Sequence, residues 1–584
     1  MLTRRRVQRS TVKGSSTVGA VSPVLLLALA LTMAAQAGRA QNTTVNDLLL
    51  PDDAAPYSEQ IYRVPCDNTR NETTFDFATS VYQQFGCLPD LFGDTLVDLD
   101  KEFNPLPASA ESWSVADDGV TWTFKLREGL MWSDGTPVTA YDYVATFQLE
   151  ATPDHGWDFS WFYSFIGKGG IRNWTSIVEG KLAPEELGVR AVDDLTLEVI
   201  TEGPFPPLPS VMKFSFVLQK RALEEHGPFY NSDVATSVSS GPYVLVEFDP
   251  GNRIVVEANP AYTGYRPARL SRIEGIYMSP ATFFIAFENG EVDMVTYDAL
   301  TPTDYALIER DPGLTENYLK HAGNFRTDYL IFDTFTPPFD NLDVRKAFAH
   351  ALDREIIVAH IFGEIKAMPA HSMLMPGFPS ADTEGVLADF QRFDCDLARQ
   401  HLAAAGFPDG EGFPPQEMWL RGEGPAMSAV YQASAASIAQ CLNIEIQVSN
   451  KDSKVYMDAL NARPTQVKLG AVSYGMDFLD PTNLLGIWVS SGRHSWHNEE
   501  FDGIVRAASN MVDDPERRDR LFRDAERILV DDVGGLFIAH RLQGDLFKPY
   551  VLGNSLREPD ANGGLGRHWG NDWHWGDIYI GRRP

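Results

Sequence analysis

Cysteine is scarce in this chain, with four in 584 residues, at positions 66, 87, 395 and 441. None of the four stands in C-x-x-C spacing, which argues against a zinc knuckle or a dithiol redox centre. Positive charge is also short: 49 Lys and Arg face 80 Asp and Glu, a formal charge of −31. So acidic a body repels phosphate backbones and anionic lipid heads, which excludes nucleic acid as a partner. Beyond residue 35 no stretch approaches 18 apolar residues, so the rest of the chain is expected to be soluble. Catalytic signatures are missing too. There is no G-x-S-x-G elbow, no H-E-x-x-H and no G-x-x-x-x-G-K-[ST] phosphate loop. An exported hydrolase therefore has no motif in its favour, and no cofactor is expected.

What is present begins with an export leader. Residues 4–13 are basic and residues 24–35 nearly all apolar. Small residues then lead through Ala37 to Ala40. A positive n-region, a short apolar h-region and a small-residue cut site make a secretory signal peptide over residues 1–40, cleaved near 37–41. No Cys lies near the cut, so a free periplasmic protein without a lipid anchor is expected. In an exported chain four cysteines permit disulfides, with three possible pairings. The economical pairing joins Cys66 to Cys87 and Cys395 to Cys441, each closing a local loop.

The remaining length suggests two to four domains. Residues 113–127 alternate, with Trp122, Phe124 and Leu126 on one face, and read as a half-buried strand. Residues 138–149 read as a helix with Thr139 as N-cap. Two alternating runs flank Asp249-Pro250-Gly251-Asn252, which makes a hairpin. Helices are expected over 343–361 (Asp343 as cap), over 394–405 (ended by Gly406), and from Asp514-Pro515 onward. Strand-like pieces at 444–448 and 467–472 alternate with these helices, the pattern of an α/β lobe.

Several segments also carry a family resemblance. The run Asp117-Asp118-Gly119 through Trp132-Ser133-Asp134-Gly135-Thr136-Pro137 is one. Gly241-Pro242-Tyr243 with Asn259-Pro260-Ala261-Tyr262 is another. Pro338-Phe339-Asp340-Asn341-Leu342-Asp343-Val344-Arg345 with Asp353-Arg354-Glu355, and Met476-Asp477-Phe478-Leu479-Asp480-Pro481, complete the set. In this order they resemble the extracytoplasmic solute-binding proteins of family 5, whose members feed oligopeptide, dipeptide or nickel importers. The oligopeptide-binding branch is the most similar, and the likeness spans about residues 90–550.

That resemblance implies an α/β fold of the type II, cluster C-like periplasmic binding proteins, with two lobes and an extra domain inserted in the first. Lobe 1 is expected over 41–100, 188–324 and 534–584, the inserted domain over 101–187, and lobe 2 over 325–533. The implied function is capture of peptides between the lobes by hinge closure, with no covalent chemistry. Implied partners are membrane permease subunits and a separate ATPase, since the chain has no phosphate loop of its own. The protein is expected to be a monomer. An oligosaccharide is the alternative ligand, because 12 Trp and the aromatic run Trp157, Phe159, Trp161, Phe162, Tyr163, Phe165 suit stacking on sugar rings.

Site residues follow from the same likeness. Asp477 stands where the family places a carboxylate against a peptide's α-amino group. Tyr474 and Gly475 stand where main chain pairs with an extended peptide. Gly93, Asp94 and Thr95 match a loop bordering the cleft, with one residue inserted. Arg463 is the nearest match for a cation meeting a peptide carboxylate. Trp161 and Tyr163 are candidate stacking residues. His494 and His497, three apart, suggest no third ligand, and no metal is expected.

Overall fold

A computed structural model describes residues 42–68, 74–81, 87–88, 91–100, 104–160, 162–165, 170–423, 425–462, 464–560, 563–565 and 576–583. The expected leader, Trp161 and Arg463 lie outside these residues, so no placement is given for them.

The largest sheet has six strands, in the order Ala367–Pro369, Gly535–Arg541, Thr327–Phe332, Leu469–Tyr474, Gln416–Arg421, Ile446–Lys451. The last three run parallel; the junctions among the first four are antiparallel. Side chains alternate across it as the two-residue period of a strand requires. Tyr329, Ile331, Val472 and Tyr474 enter one hydrophobic core; Leu330, Phe332, Leu469 and Ala471 enter another on the opposite face. Both faces are covered, so these strands read as continuous apolar runs. Helices Glu499–Ser509 and Pro515–Asp531 cover the first face, and Leu342–His350, Cys395–Ala404 and Pro425–Leu442 the second.

Two four-stranded sheets are built from the earlier chain. Ile61–Asp67, Arg272–Met278, Arg253–Ala258 and Tyr243–Asp249 form one; Ala110–Val115, Thr121–Leu126, Thr196–Ile200 and Val189–Asp193 form the other. Sheet membership runs across two of the expected boundaries. Strands 189–200 pair with the hairpin of 110–126, and Gly535–Arg541 pairs with Thr327–Phe332.

Local chemistry explains most elements. The Asp249–Asn252 turn closes the hairpin with Asn252 N–H donating to Asp249 O, and Gly251 takes a positive φ of 78°. Asp514 caps Pro515–Asp531 and Asp394 caps Cys395–Ala404 through their side-chain oxygens. Two expectations change. Residues 113–127 are not one strand but two, broken by a turn in which Gly119 (φ 70°) donates to Ala116 O. The helix expected over 343–361 starts one residue earlier, with Asn341 and not Asp343 accepting the capping bond, and ends at His350. A second short helix, Arg354–Ile357, follows under its own cap, Asp353. The cysteines pair as Cys66–Cys87 and Cys395–Cys441. Among the described residues no helix is long and apolar enough to cross a membrane.

Candidate functional site

The six-stranded sheet brings chemistry to one edge. Its parallel strands end there at Arg421, Lys451 and Tyr474. The antiparallel strand begins there, with Thr327 opposite Tyr474 and His540. The carboxyl ends of parallel strands are where open α/β sheets gather ligands, because loops there diverge around a crevice. From Tyr474 the chain leaves through Gly475 to Leu479 and enters helix Pro481–Gly486. Asp480 caps that helix by accepting from Thr482 N–H at 2.9 Å, and Arg518 grips both its oxygens at 2.8 Å. The loop is therefore anchored at both ends.

Asp477 is half-buried in this loop. Its Oδ2 accepts from the Tyr474 hydroxyl at 2.6 Å and from Asn483 Nδ2 at 3.1 Å; its N–H donates to Asn483 Oδ1 at 2.9 Å. Among the described residues, every side-chain hydrogen bond to the carboxylate falls on Oδ2 and none on Oδ1. Burial raises the carboxyl's pKa, partly offset by the Tyr474 and Asn483 bonds and by the charges of Arg493 and Arg326. A carboxylate clamped on one oxygen and open on the other is an acceptor for a cation.

Three residues around it were not singled out in the sequence. Arg326, just before Thr327, donates from Nη1 to Ser473 Oγ at 3.1 Å. The Arg493 guanidinium lies over the Tyr474 ring, 5.4 Å from its centroid. Asn324 packs its side chain against Gly475, and its buried Oδ1 has no donor among the described residues. Asn324 and Arg326 are two residues apart just ahead of strand Thr327–Phe332, whereas Arg493 comes from far along the chain, and no motif marks any of them. Beside them Asp328, fully buried, holds Arg541 through two bonds of 2.7 Å and accepts from Tyr431.

The loop is also where two cores meet. Tyr474, Met476 and Leu479 belong to the core of the six-stranded sheet. Phe478 turns the other way, into the core beneath the 110–126 hairpin, where its ring meets Phe205 edge-on at 5.8 Å. Asp477 thus lies at the junction of the two bodies.

The other expected residues that are described make contacts of their own. A Cβ on Gly93 would come within 2.9 Å of Val217 O, so that glycine serves close backbone packing. Asp94 is 2% exposed; it is paired with Arg266 at 3.0 Å and accepts from Tyr262 at 2.7 Å. Thr95 is buried, donating to Val97 O. Tyr163 is fully enclosed among Phe147, Trp157, Phe162 and Trp174, with its hydroxyl on Phe214 O. The described rings of the 157–163 run are interior. His494 is buried against Tyr329, 2.9 Å away, whereas His497 is exposed and bonds Ser490, so the two do not converge.

Comparison with known proteins matches this architecture. A family model, that of the bacterial extracellular solute-binding proteins, family 5 (middle part), covers residues 104–496. The chain is 28% identical over 482 residues to the periplasmic oligopeptide-binding protein OppA of Salmonella typhimurium, covering 81% of this chain and 86% of OppA. It is equally, 28%, identical over 480 residues to the probable deoxycholate-binding periplasmic protein YgiS of Escherichia coli, covering 80% and 86%. The fold also matches the unliganded open form of the periplasmic murein tripeptide-binding protein MppA. The TM-score is 0.75 at 23% identity, over 91% of this chain and 99% of that one.

Proposed function

Because this chain belongs to family 5 of the bacterial extracellular solute-binding proteins, we propose that it captures peptides for an ABC importer, holding the ligand's α-ammonium on Asp477. Relatives of equal identity are named for different ligands, an oligopeptide and deoxycholate, so the names alone do not choose between them. The observation that favours a peptide is Asp477, with Oδ2 clamped by Tyr474 and Asn483 and Oδ1 open. Deoxycholate or a neutral sugar offers no cation to such a group. An α-ammonium does, and a half-buried carboxylate gains most from a charged partner.

The six-stranded sheet and its helices form one lobe, and the sheets of the earlier chain the other. The 475–479 loop lies at their junction. Ligand binding favours closure to the extent that the closed form binds it better than the open one. An oligosaccharide is disfavoured because the described aromatic residues of 157–163 are interior. Residues 1–40 act as a cleaved export signal, no lipid anchor follows, and the mature protein works in the periplasm as a monomer. Permease subunits and a separate ATPase complete the importer.

The test is intact-complex mass spectrometry of the protein incubated with a mixture of tri- to pentapeptides and, separately, of oligosaccharides. Adducts of peptide mass are expected. Adducts of sugar mass alone, or turnover of any peptide, would overturn the reading.

A further inference from the structure

We propose that the cavity beside Asp76, inside the first lobe, is a binding site for one small monovalent cation of ammonium or potassium size. The cavity has room for about one water-sized guest and lies where three hydrophobic cores meet. Phe75 and Phe92 line it from one core, Phe77 and Phe216 from a second, and Ala78 and Leu218 from a third. Each core is closely packed within itself, and the gap falls where their surfaces join.

Asp76 is the one polar side chain among the described residues that line the cavity, and it is 6% exposed. Its main chain is fixed: the N–H donates to Thr74 Oγ1 at 3.2 Å, and the carbonyl accepts from the N–H groups of Thr79 and Ser80 at 3.1 and 3.0 Å. Its Oδ1 accepts from Asn231 Nδ2 at 3.0 Å. Asn231 is itself held by its other end, where Oδ1 accepts from Ser237 Oγ and Val238 N–H, both at 2.9 Å. Oδ2 has no hydrogen-bond partner among the described residues. A buried carboxylate oxygen left open is costly, so a proton or a cation must cover it. Burial raises the carboxyl's pKa to about 7, partly offset by the Asn231 bond, and near neutral pH a cation competes with the proton on even terms. The walls choose among cations. Calcium wants roughly six to eight oxygens, which one carboxylate does not supply. The paired rings Phe75–Phe92 and Phe77–Phe216, with centroids 6.0 and 5.3 Å apart, give an electron-rich wall that suits an ammonium or potassium ion. A guest on Oδ2 ties the three cores together and so stabilises the lobe.

Crystals of the wild type soaked in thallium(I) acetate at about pH 8 test the site directly, because thallium(I) replaces ammonium and potassium and scatters anomalously. An anomalous peak at coordination distance from Asp76 Oδ2 is expected. No peak there, or an ordered water alone, overturns the site. Melting at the same pH in ammonium, potassium and tetramethylammonium chlorides of equal ionic strength identifies the guest, the last cation being too large to enter. A rise of about 2 °C over tetramethylammonium is expected in ammonium or potassium. The larger rise in ammonium assigns the site to that ion, and the larger rise in potassium assigns it to the alkali ion. The rise is expected to persist in Asp477→Asn, which removes the carboxylate proposed to hold a peptide's ammonium, and to vanish in Asp76→Asn. Equal melting in all three salts, a rise that survives Asp76→Asn, or one lost in Asp477→Asn overturns the proposal. Should Asp76→Asn fail to fold, the thallium peak in the wild type decides.

Discussion

Tyr474 donates its hydroxyl to Asp477 Oδ2 at 2.6 Å across a three-residue turn. The strand end therefore fixes the orientation of the carboxylate that leaves it. A hydrogen bond to a carboxylate favours its ionised form, so this contact orients Asp477 and partly offsets the rise in pKa that burial causes.

Tyr474→Phe removes that bond and keeps the ring. Peptide affinity is expected to fall by about 1.5–3 kcal/mol, as for a charge-assisted hydrogen bond. Burial already raises the Asp477 pKa, and losing the Tyr474 bond raises it further. Ammonium binding needs the ionised carboxylate and is lost as pH falls through that pKa. The acid limb of affinity against pH is therefore expected at higher pH in Tyr474→Phe than in wild type, as read by titration at a series of pH values.

Gly475→Ala tests the neighbouring contact. A Cβ there would collide with the side chain of Asn324 and displace it from the site edge. Weaker peptide binding with an almost unchanged melting temperature is expected.

Asp94 is expected to matter for stability. It is buried and neutralises Arg266, so Asp94→Ala leaves that charge enclosed without a partner. A loss of about 3–5 kcal/mol in chemical denaturation is expected. Affinity of the molecules that remain folded should be unchanged. A selective loss of affinity at full stability would make Asp94 a ligand contact.

Glu526 gives a pH-dependent stability. It is 1% exposed, and burial raises its pKa to about 8 from an ordinary 4.5. The folded state holds its proton more tightly than the unfolded state. Its contribution is therefore fully present below about pH 4.5 and is lost as pH rises toward 8. Glu526→Gln keeps an acceptor for Leu374 N–H and does not ionise. Between pH 5 and 8 the wild type is expected to lose stability more steeply than this variant, measured by urea denaturation at each pH.

Much of the fold is legible where the cause is local. The Asp249–Asn252 turn and the caps at Asp394 and Asp514 are each decided within a few residues. The role proposed for Asp477 is legible through the family pattern of its loop. Long-range pairing is harder to read. Nothing near Asp94 reveals that Arg266, 172 residues later, neutralises it. The aromatic run suits a core more often than a ligand platform, and tertiary packing around Tyr163 puts its described rings in a core. Arg326, Arg493 and Asn324 reach Ser473, Tyr474 and Gly475 respectively because strand register and loop return bring the 324–326 and 493 segments to one edge, a relation that no short window of sequence contains.

The most direct measurement is calorimetric titration of one tripeptide, with its amine free and with it acetylated, into wild type and Asp477→Asn. In the wild type acetylation is expected to weaken binding by about 1.5–3 kcal/mol, and in the variant to change little, because the partner of the ammonium is already gone. Equal affinity of the free and acetylated peptides for the wild type would contradict capture of the ligand through its ammonium on Asp477.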